Sequence, residues 1–333
     1  MLDPSTLDFV KSTDNYVITF HQNPDGDAIG SALALHHAFK KMGKQGSVIS
    51  PNQVGDYLKW LPGIEEVINY EDDPTSSNAL MKQAKSVFCL DFNDPNRSGG
   101  LEQALIATAA DKMLIDHHLY PKDFTKYSLH SVESPATALL IFELITEIDD
   151  ALFDQDIATG LYTGLMTDTG SFRFPATNAK THLAVARLME TGFNHSRIHE
   201  KIFDTFSIDR LKLYGNSLLN RHEYLEEFKT SIIHVTLDDH ETFDIKKGDT
   251  EGLVNYNLSL EGVIFGVLFI ENPEMVKISF RSKGSFPANE FASKYFQGGG
   301  HLNAAGGRSF VSLERTIRKF KKYLSEFIQE HQL

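Results

Sequence analysis

The chain has 333 residues, with 32 Lys+Arg against 45 Asp+Glu and a formal net charge of −13. At about 150 residues per domain this length calls for two domains. A composition of 41% hydrophobic and 23% charged residues excludes a disordered or fibrous chain. The acidic balance argues against binding long duplex nucleic acid, because that requires lysine and arginine to neutralise phosphates. The single cysteine, Cys89, excludes an internal disulfide framework and fits a reducing compartment. The N-terminal MLDPSTLDFVKSTDN carries acids and no apolar core, so no secretory signal is expected there. The longest apolar stretch, Val263–Ile270, falls far short of the ~20 residues of a membrane span. A soluble, cytoplasmic enzyme that does not engage membranes is the expectation.

Along the first half, short apolar runs alternate with helical patterns. Tyr16–Phe20 reads as a buried strand, Ile29–Lys41 as a helix ended by Gly43, and Ser47–Ser50 as a short strand. Ser86–Leu90 and Lys112–Ile115 are further strands, with Leu101–Ala110 helical between them. This rhythm predicts an α/β domain with a mostly parallel sheet flanked by helices. Ser134 and Pro135 suit a helix cap and first turn, opening a helix to about Ile148. Helices are also expected over 156–167, 177–190 and 208–226, with the domain junction near 190–225 and no strands in that stretch. Thr230–Leu237, Val263–Ile270 and Val276–Phe280 read as strands of a smaller α+β domain, closed by a helix from about Leu313.

Chemistry gathers at the strand ends. Tyr16–Phe20 runs into His21-Gln-Asn-Pro-Asp25-Gly-Asp27, where Pro24 and Gly26 supply turn geometry. In an open parallel sheet, ligands bind outside the carboxyl ends of the strands. Ser86–Leu90 ends at Asp91, and Lys112–Ile115 at Asp116-His117-His118. Asp168 closes an apolar helix, where the C-terminal partial negative charge disfavours a carboxylate unless a cation joins it. Each alone is also explained as a turn or cap residue, and the pair His36-His37 within an apolar helix reads as structural. Together, His21, Asp25, Asp27, Asp91, His117 and Asp168 form a mixed oxygen and nitrogen set suited to Mn²⁺, Mg²⁺, Co²⁺ or Fe²⁺. With one carboxylate bridging, six ligands suit two ions roughly 3.5–4 Å apart.

The order His21-x3-Asp25-x-Asp27, Asp91, Asp116-His117-His118 and Asp168 resembles the four motifs of the DHH phosphoesterase superfamily. Gly298-Gly299-Gly300-His301-Leu-Asn-Ala-Ala-Gly306-Gly307 resembles the glycine-rich signature of the DHH-associated domain, type 1. The length and layout are most similar to the NrnA-like nanoRNase/pAp-phosphatase branch. The resemblance implies a metal-binding phosphoesterase domain at 1–190, a helical linker region at 191–225 and a substrate-binding domain at 226–333, with the active site in the cleft between the domains. It also implies that His21 and Asp25 hold one ion, Asp27, His117 and Asp168 hold a second, and Asp91 bridges them. Asp116 would orient a ligand histidine, and His118 would face the substrate.

The glycine run lets backbone approach a phosphate, and His301 can add a charge-assisted bond. A flexible hinge or helix cap is the alternative explanation of that run. Arg281 and Ser282, ending a strand, resemble the family's phosphate-contacting segment. Phe280 and Phe286 are better placed as core than as base-stacking rings. The activity implied is degradation of short oligoribonucleotides to mononucleotides and dephosphorylation of pAp (3′-phosphoadenosine 5′-phosphate) to AMP. It would use two divalent ions, Mn²⁺ foremost, in a chain that can also form a homodimer. Linear or cyclic dinucleotide hydrolysis, a RecJ-like single-strand exonuclease and a nucleotide-binding sensor are the alternatives.

Overall fold

The computed structural model describes residues 3–246 and 248–331. The ends of the expected domains at 1, 2, 332 and 333 lie outside the described residues, as does Lys247. The chain divides into two compact units between Thr205 and Phe206.

In the first unit α1 (Pro4–Ser12) leads to β1 (Asn15–Phe20), α2 (Gly26–Lys41), β2 (Gln45–Ser50) and β3 (Val67–Asn69). Then come α3 (Pro74–Gln83), β4 (Ser86–Leu90), α4 (Glu102–Ala107), β5 (Asp111–Asp116) and β6 (Tyr127–His130). Four helices follow: α5 (Thr137–Asp149), α6 (Gln155–Asp168), α7 (Ala179–Met189) and α8 (His195–Phe203). The six strands pair in parallel in the order β3-β2-β1-β4-β5-β6. Strand alternation feeds two cores: Tyr16, Ile18 and Phe20 pack with residues of α2, α5 and α6, while Val17 joins Met81 and Leu105 on the other face. Both faces are thus covered, as a parallel sheet requires. Strand order reverses between β1 and β4, so the crevice outside their carboxyl ends is a topological switch point.

Two packing details position what lies there. Helix α5 starts at Thr137, and Ser134 does not cap it, because the Ser134 hydroxyl donates to the Ala136 carbonyl (2.8 Å). Its first amides, Thr137 N–H and Ala138 N–H, instead donate to the buried Asp27 carboxylate at 2.6 and 2.8 Å. Helices α2 and α6 meet at bare backbone: a Cβ on Gly30 would lie 2.3 Å from the Gly160 carbonyl oxygen, and one on Gly160 2.7 Å from that of Gly30. This close approach brings the end of α6 against the start of α2, where a Cβ on Gly26 would lie 2.5 Å from Thr167 Oγ1.

The second unit contains α9 (Ile208–Asn220), β7 (His222–Leu225), β8 (Thr230–Val235), α10 (Leu237–Thr242) and α11 (Leu253–Asn257). It continues with β9 (Phe265–Glu271), β10 (Val276–Ser282), α12 (Ala288–Phe296), β11 (Gly299–His301), β12 (Ala304–Ser309) and α13 (Leu313–His331). Its mixed sheet has the order β11-β12-β10-β9-β8-β7, with only β8 and β9 parallel. Phe265, Phe280, Phe286, Phe291 and Phe320 fill the core against α12 and α13. Phe280 and Phe286 are therefore core residues.

Residues 191–225, expected as a helical link, are divided: α8 lies in the first unit, α9 and β7 in the second. The helix expected to reach Glu226 stops at Asn220, because His222–Leu225 pairs with β8 as an antiparallel edge strand. Among the described residues no helix is long and apolar enough to cross a membrane.

Candidate metal centre

Three strand ends and two helix ends converge at the switch point. After β1, His21 and Asp25 flank a turn in which Asn23 adopts left-handed backbone (φ 56°). Asp25 Oδ1 then caps α2, accepting from Asp27 N–H (3.0 Å) and Ala28 N–H (3.1 Å). After β4, Asp91 also takes left-handed backbone (φ 62°) while its N–H donates to the Ile115 carbonyl (3.0 Å). A non-glycine residue held there is strained, and such strain gathers at functional sites. β5 ends in Asp116 and hands on to His117 and His118, and α6 ends at Asp168.

The donors fall into two triads. His21, Asp25 and Asp91 each offer one atom, all within 4.8 Å of one another, and Asp27, His117 and Asp168 do the same. Asp91 lies between them: its oxygens are 3.4 Å from His21 Nε2 and 3.5 Å from His117 Nε2. Donors around an ion at about 2.0–2.6 Å are themselves up to ~5 Å apart, so each triad fits one divalent cation. The donor chemistry fits as well, since carboxylate and imidazole with no thiolate favour Mn²⁺, Mg²⁺, Fe²⁺ or Co²⁺.

Electrostatics agree with that fit. Burial, reinforced by the charges of Asp91 and Asp168, drives the Asp27 carboxyl well above the usual range. Burial likewise lifts Asp168 to about 7, against the opposing pull of His117. Burial opposes charge on Asp91 too, but hydrogen bonds from His117 and His21 hold its carboxyl well below the ordinary value. Burial also opposes charge on His21, yet the Asp91 hydrogen bond and the charges of Asp25 and Asp91 raise it to about 9. His117, similarly buried, is raised well above its ordinary value by Asp91 and Asp168. Carboxylates crowded in low dielectric draw in protons or cations, and divalent ions are the stronger attractors.

One expected role is corrected. Asp116 accepts from His118 Nδ1 (2.7 Å), whereas His117 Nδ1 contacts the Ser134 carbonyl (3.1 Å). The carboxylate therefore orients the histidine expected to face substrate, and His117, expected as a metal ligand, is oriented by backbone. Asp116 Oδ2 is buried without a hydrogen-bond partner among the described residues. Sequence reading missed Thr137, whose hydroxyl donates to Asp91 Oδ1 (3.0 Å) from 46 residues away. Nothing local in the sequence announces that contact.

In the second unit, Arg281 and His301 both pair with Ala304 across the sheet, one from each side. They form one row about 10 Å wide, two strand spacings, over a small alanine. Ser282 is not available in that row: its buried hydroxyl donates to the Phe286 carbonyl (2.7 Å) and accepts from Asn303 Nδ2 (2.8 Å). The glycine run divides its roles: the Gly298 N–H donates to the Ala292 carbonyl (3.1 Å) and helps to cap the end of α12, after Gln297 in left-handed backbone. Gly299 and Gly300 begin β11, and a Cβ on Gly298 would lie 1.9 Å from the Gly306 carbonyl oxygen. Gly298 is thus required by the fold, while Gly299 borders open space.

Residues 15–165 match the DHH family, N-terminal domain, and residues 229–330 match the DHHA1 domain. The chain is 30% identical over 293 residues to the bifunctional oligoribonuclease and PAP phosphatase NrnA of Thermus thermophilus, covering 87% of this chain and 82% of that protein.

The chain belongs to the DHH phosphoesterase family.

The Bacillus subtilis protein of the same name is 26% identical to this DHH protein over 88% of each chain. The crystal structure of an exopolyphosphatase-related protein from Bacteroides fragilis superposes with a TM-score of 0.96 at 35% identity, covering 100% of this chain and 99% of that one. As a DHH enzyme the protein is a metal-dependent phosphoesterase, and oligoribonuclease or pAp phosphatase activity is the activity of its NrnA-like relatives.

Proposed function

We propose that this DHH enzyme degrades short oligoribonucleotides to mononucleotides and removes the 3′-phosphate of pAp, using two divalent ions with Mn²⁺ preferred. The observation that carries this reading is the pair of three-donor groups around Asp91. His21, Asp25 and Asp91 would hold one ion, and Asp27, His117 and Asp168 the other, with Asp91 shared. When bound, such ions supply Lewis-acid stabilisation of charge on phosphoryl oxygens and make water more acidic.

The chain's own residues do the rest. Asp116 fixes the His118 imidazole through Nδ1, leaving Nε2 to donate to a phosphoryl or leaving oxygen when the ring is protonated. Thr137 and the α5 amides hold Asp91 and Asp27 in place while the substrate's charge arrives. Arg281 would grip a phosphate through its planar guanidinium, with His301 and the Gly299 and Gly300 amides beside it in the row. A cytoplasmic setting suits the single buried cysteine.

The test is a kinetic comparison of pAp, a five-residue RNA, linear and cyclic dinucleotides and pyrophosphate with Mn²⁺, each with and without chelator. AMP from pAp and mononucleotides from RNA, both lost on chelation, are the expected products. Absence of metal-dependent product from both would overturn the proposal.

A further inference from the structure

We propose that Asn52 is a positioning residue that sets the geometry of the first metal triad without touching an ion. Asn52 lies just beyond β2, the strand beside β1, and is 6% exposed. Its Oδ1 accepts from the Asn23 backbone N–H at 2.6 Å, and its Nδ2 donates to Asn23 Oδ1 at 3.0 Å. The Asn52 carbonyl in turn accepts from the Ser50 hydroxyl (2.6 Å), which ties it to the strand.

Asn23 is the left-handed residue between His21 and Asp25. Asn is among the few L-residues that adopt that backbone readily, so what its neighbours add is a choice of this one turn conformation over others. The reciprocal pair holds it from the β2 side, and the Gln22 N–H donating to the Arg97 carbonyl (2.7 Å) holds the same turn from the β4 side. A turn pinned on both flanks keeps His21 Nε2 and Asp25 Oδ2 3.8 Å apart, facing one point. The second triad shares neither bond. Outer partners of metal ligands alter metal affinity by about 10–100-fold, so Asn52 should govern one ion and spare the other.

This inference rests on the two-triad reading, and the experiment separates their failures. Mn²⁺ is titrated into the metal-free full chain by calorimetry, with electron paramagnetic resonance reporting whether bound ions are magnetically coupled across Asp91. The parent protein should bind two coupled ions. Asn52→Ala should retain one ion at parental affinity and bind the other about 10–100-fold more weakly, giving an uncoupled spectrum at intermediate Mn²⁺. Asn52→Asp, which keeps the acceptor for Asn23 N–H, should fall between the two, and it carries the test if Asn52→Ala does not fold. Two coupled ions of parental affinity in Asn52→Ala would overturn the inference while leaving the two-triad reading intact. Equal weakening at both sites would also overturn it, by showing a general structural role. A parent protein that binds no Mn²⁺ would overturn both.

Discussion

The close crossing of α2 and α6 gives one substitution opposite signs at two helical glycines. Alanine is a better helix former than glycine by about 1 kcal/mol, so propensity alone makes Gly30→Ala and Gly215→Ala equally stabilising. At Gly215, within α9, nothing lies within 4 Å of the added Cβ, and the gain should appear almost whole. At Gly30 the Cβ would lie 2.3 Å from the Gly160 carbonyl oxygen, which is backbone and cannot rotate away. The helices must part by about 1 Å to reach ordinary contact, and overpacking of this kind costs about 1–3 kcal/mol. A rigid obstacle calls for the upper end, so subtracting the propensity gain leaves roughly 2 kcal/mol of destabilisation. For a unit of this size that lowers Tm by about 4–8 °C. The same parting shifts Asp168 relative to Asp25 and Asp27, and a misplacement near 1 Å costs about 100-fold in turnover. Calorimetric melting with chelator present, followed by pAp or RNA kinetics with Mn²⁺, reads both effects. If Gly30→Ala melts at or above the parent temperature with full activity, the packing argument is wrong.

Asp91→Asn keeps the shape of the shared carboxylate but removes its charge; Mn²⁺ calorimetry should show at least one ion lost, with turnover down about 1000-fold or more, and near-parental kinetics would refute the shared role. With chelator present, stability should decline as pH rises from 7 to 9. The sign follows because His21, raised to about 9, binds more protons folded than unfolded across this range, so its contribution is lost as pH rises through that value; Asp168, raised to about 7, has already lost its contribution by pH 7. Saturating Mn²⁺ should flatten that decline, and a chelated Tm that rises over the same range would contradict the assignment. Cys89 is fully buried, and burial pushes its thiol up to about 12. A disulfide-exchange reagent should therefore label it only on unfolding, and rapid labelling of the native protein would show that the sheet core opens.

The elements that could be read from the sequence are those whose signal is local. β1, β4 and β5 are apolar runs rich in aromatic and branched residues, and each hands directly to titratable groups, so strand and site announced each other. β3, β6 and β7 span three or four residues each and leave their side chains partly exposed. At sheet edges neither alternation nor a continuous apolar run develops, and pairing alone makes them strands. Ser134-Pro135 looked like a helix opening, but the cap of α5 is a carboxylate 110 residues upstream. Long-range partners also explain why the Ser134 carbonyl that orients His117, and Thr137 beside Asp91, went unnoticed. The glycines at 298–300 had a legible composition and an illegible reason, since the backbone of Gly306 that excludes a side chain is brought there only by the hairpin.

The two triads draw on four separate segments of the first unit, from the loop after β1 to the last residue of α6. An unfolded chain cannot gather such donors, so a divalent ion behaves as a ligand for the native first unit alone. At 100 times its dissociation constant such a ligand adds about 2.7 kcal/mol to stability. Metal supply would then set the lifetime of this unit as well as its turnover. In a metal-starved cell the enzyme would be the more exposed to proteolysis, so that loss of the cofactor becomes loss of the protein.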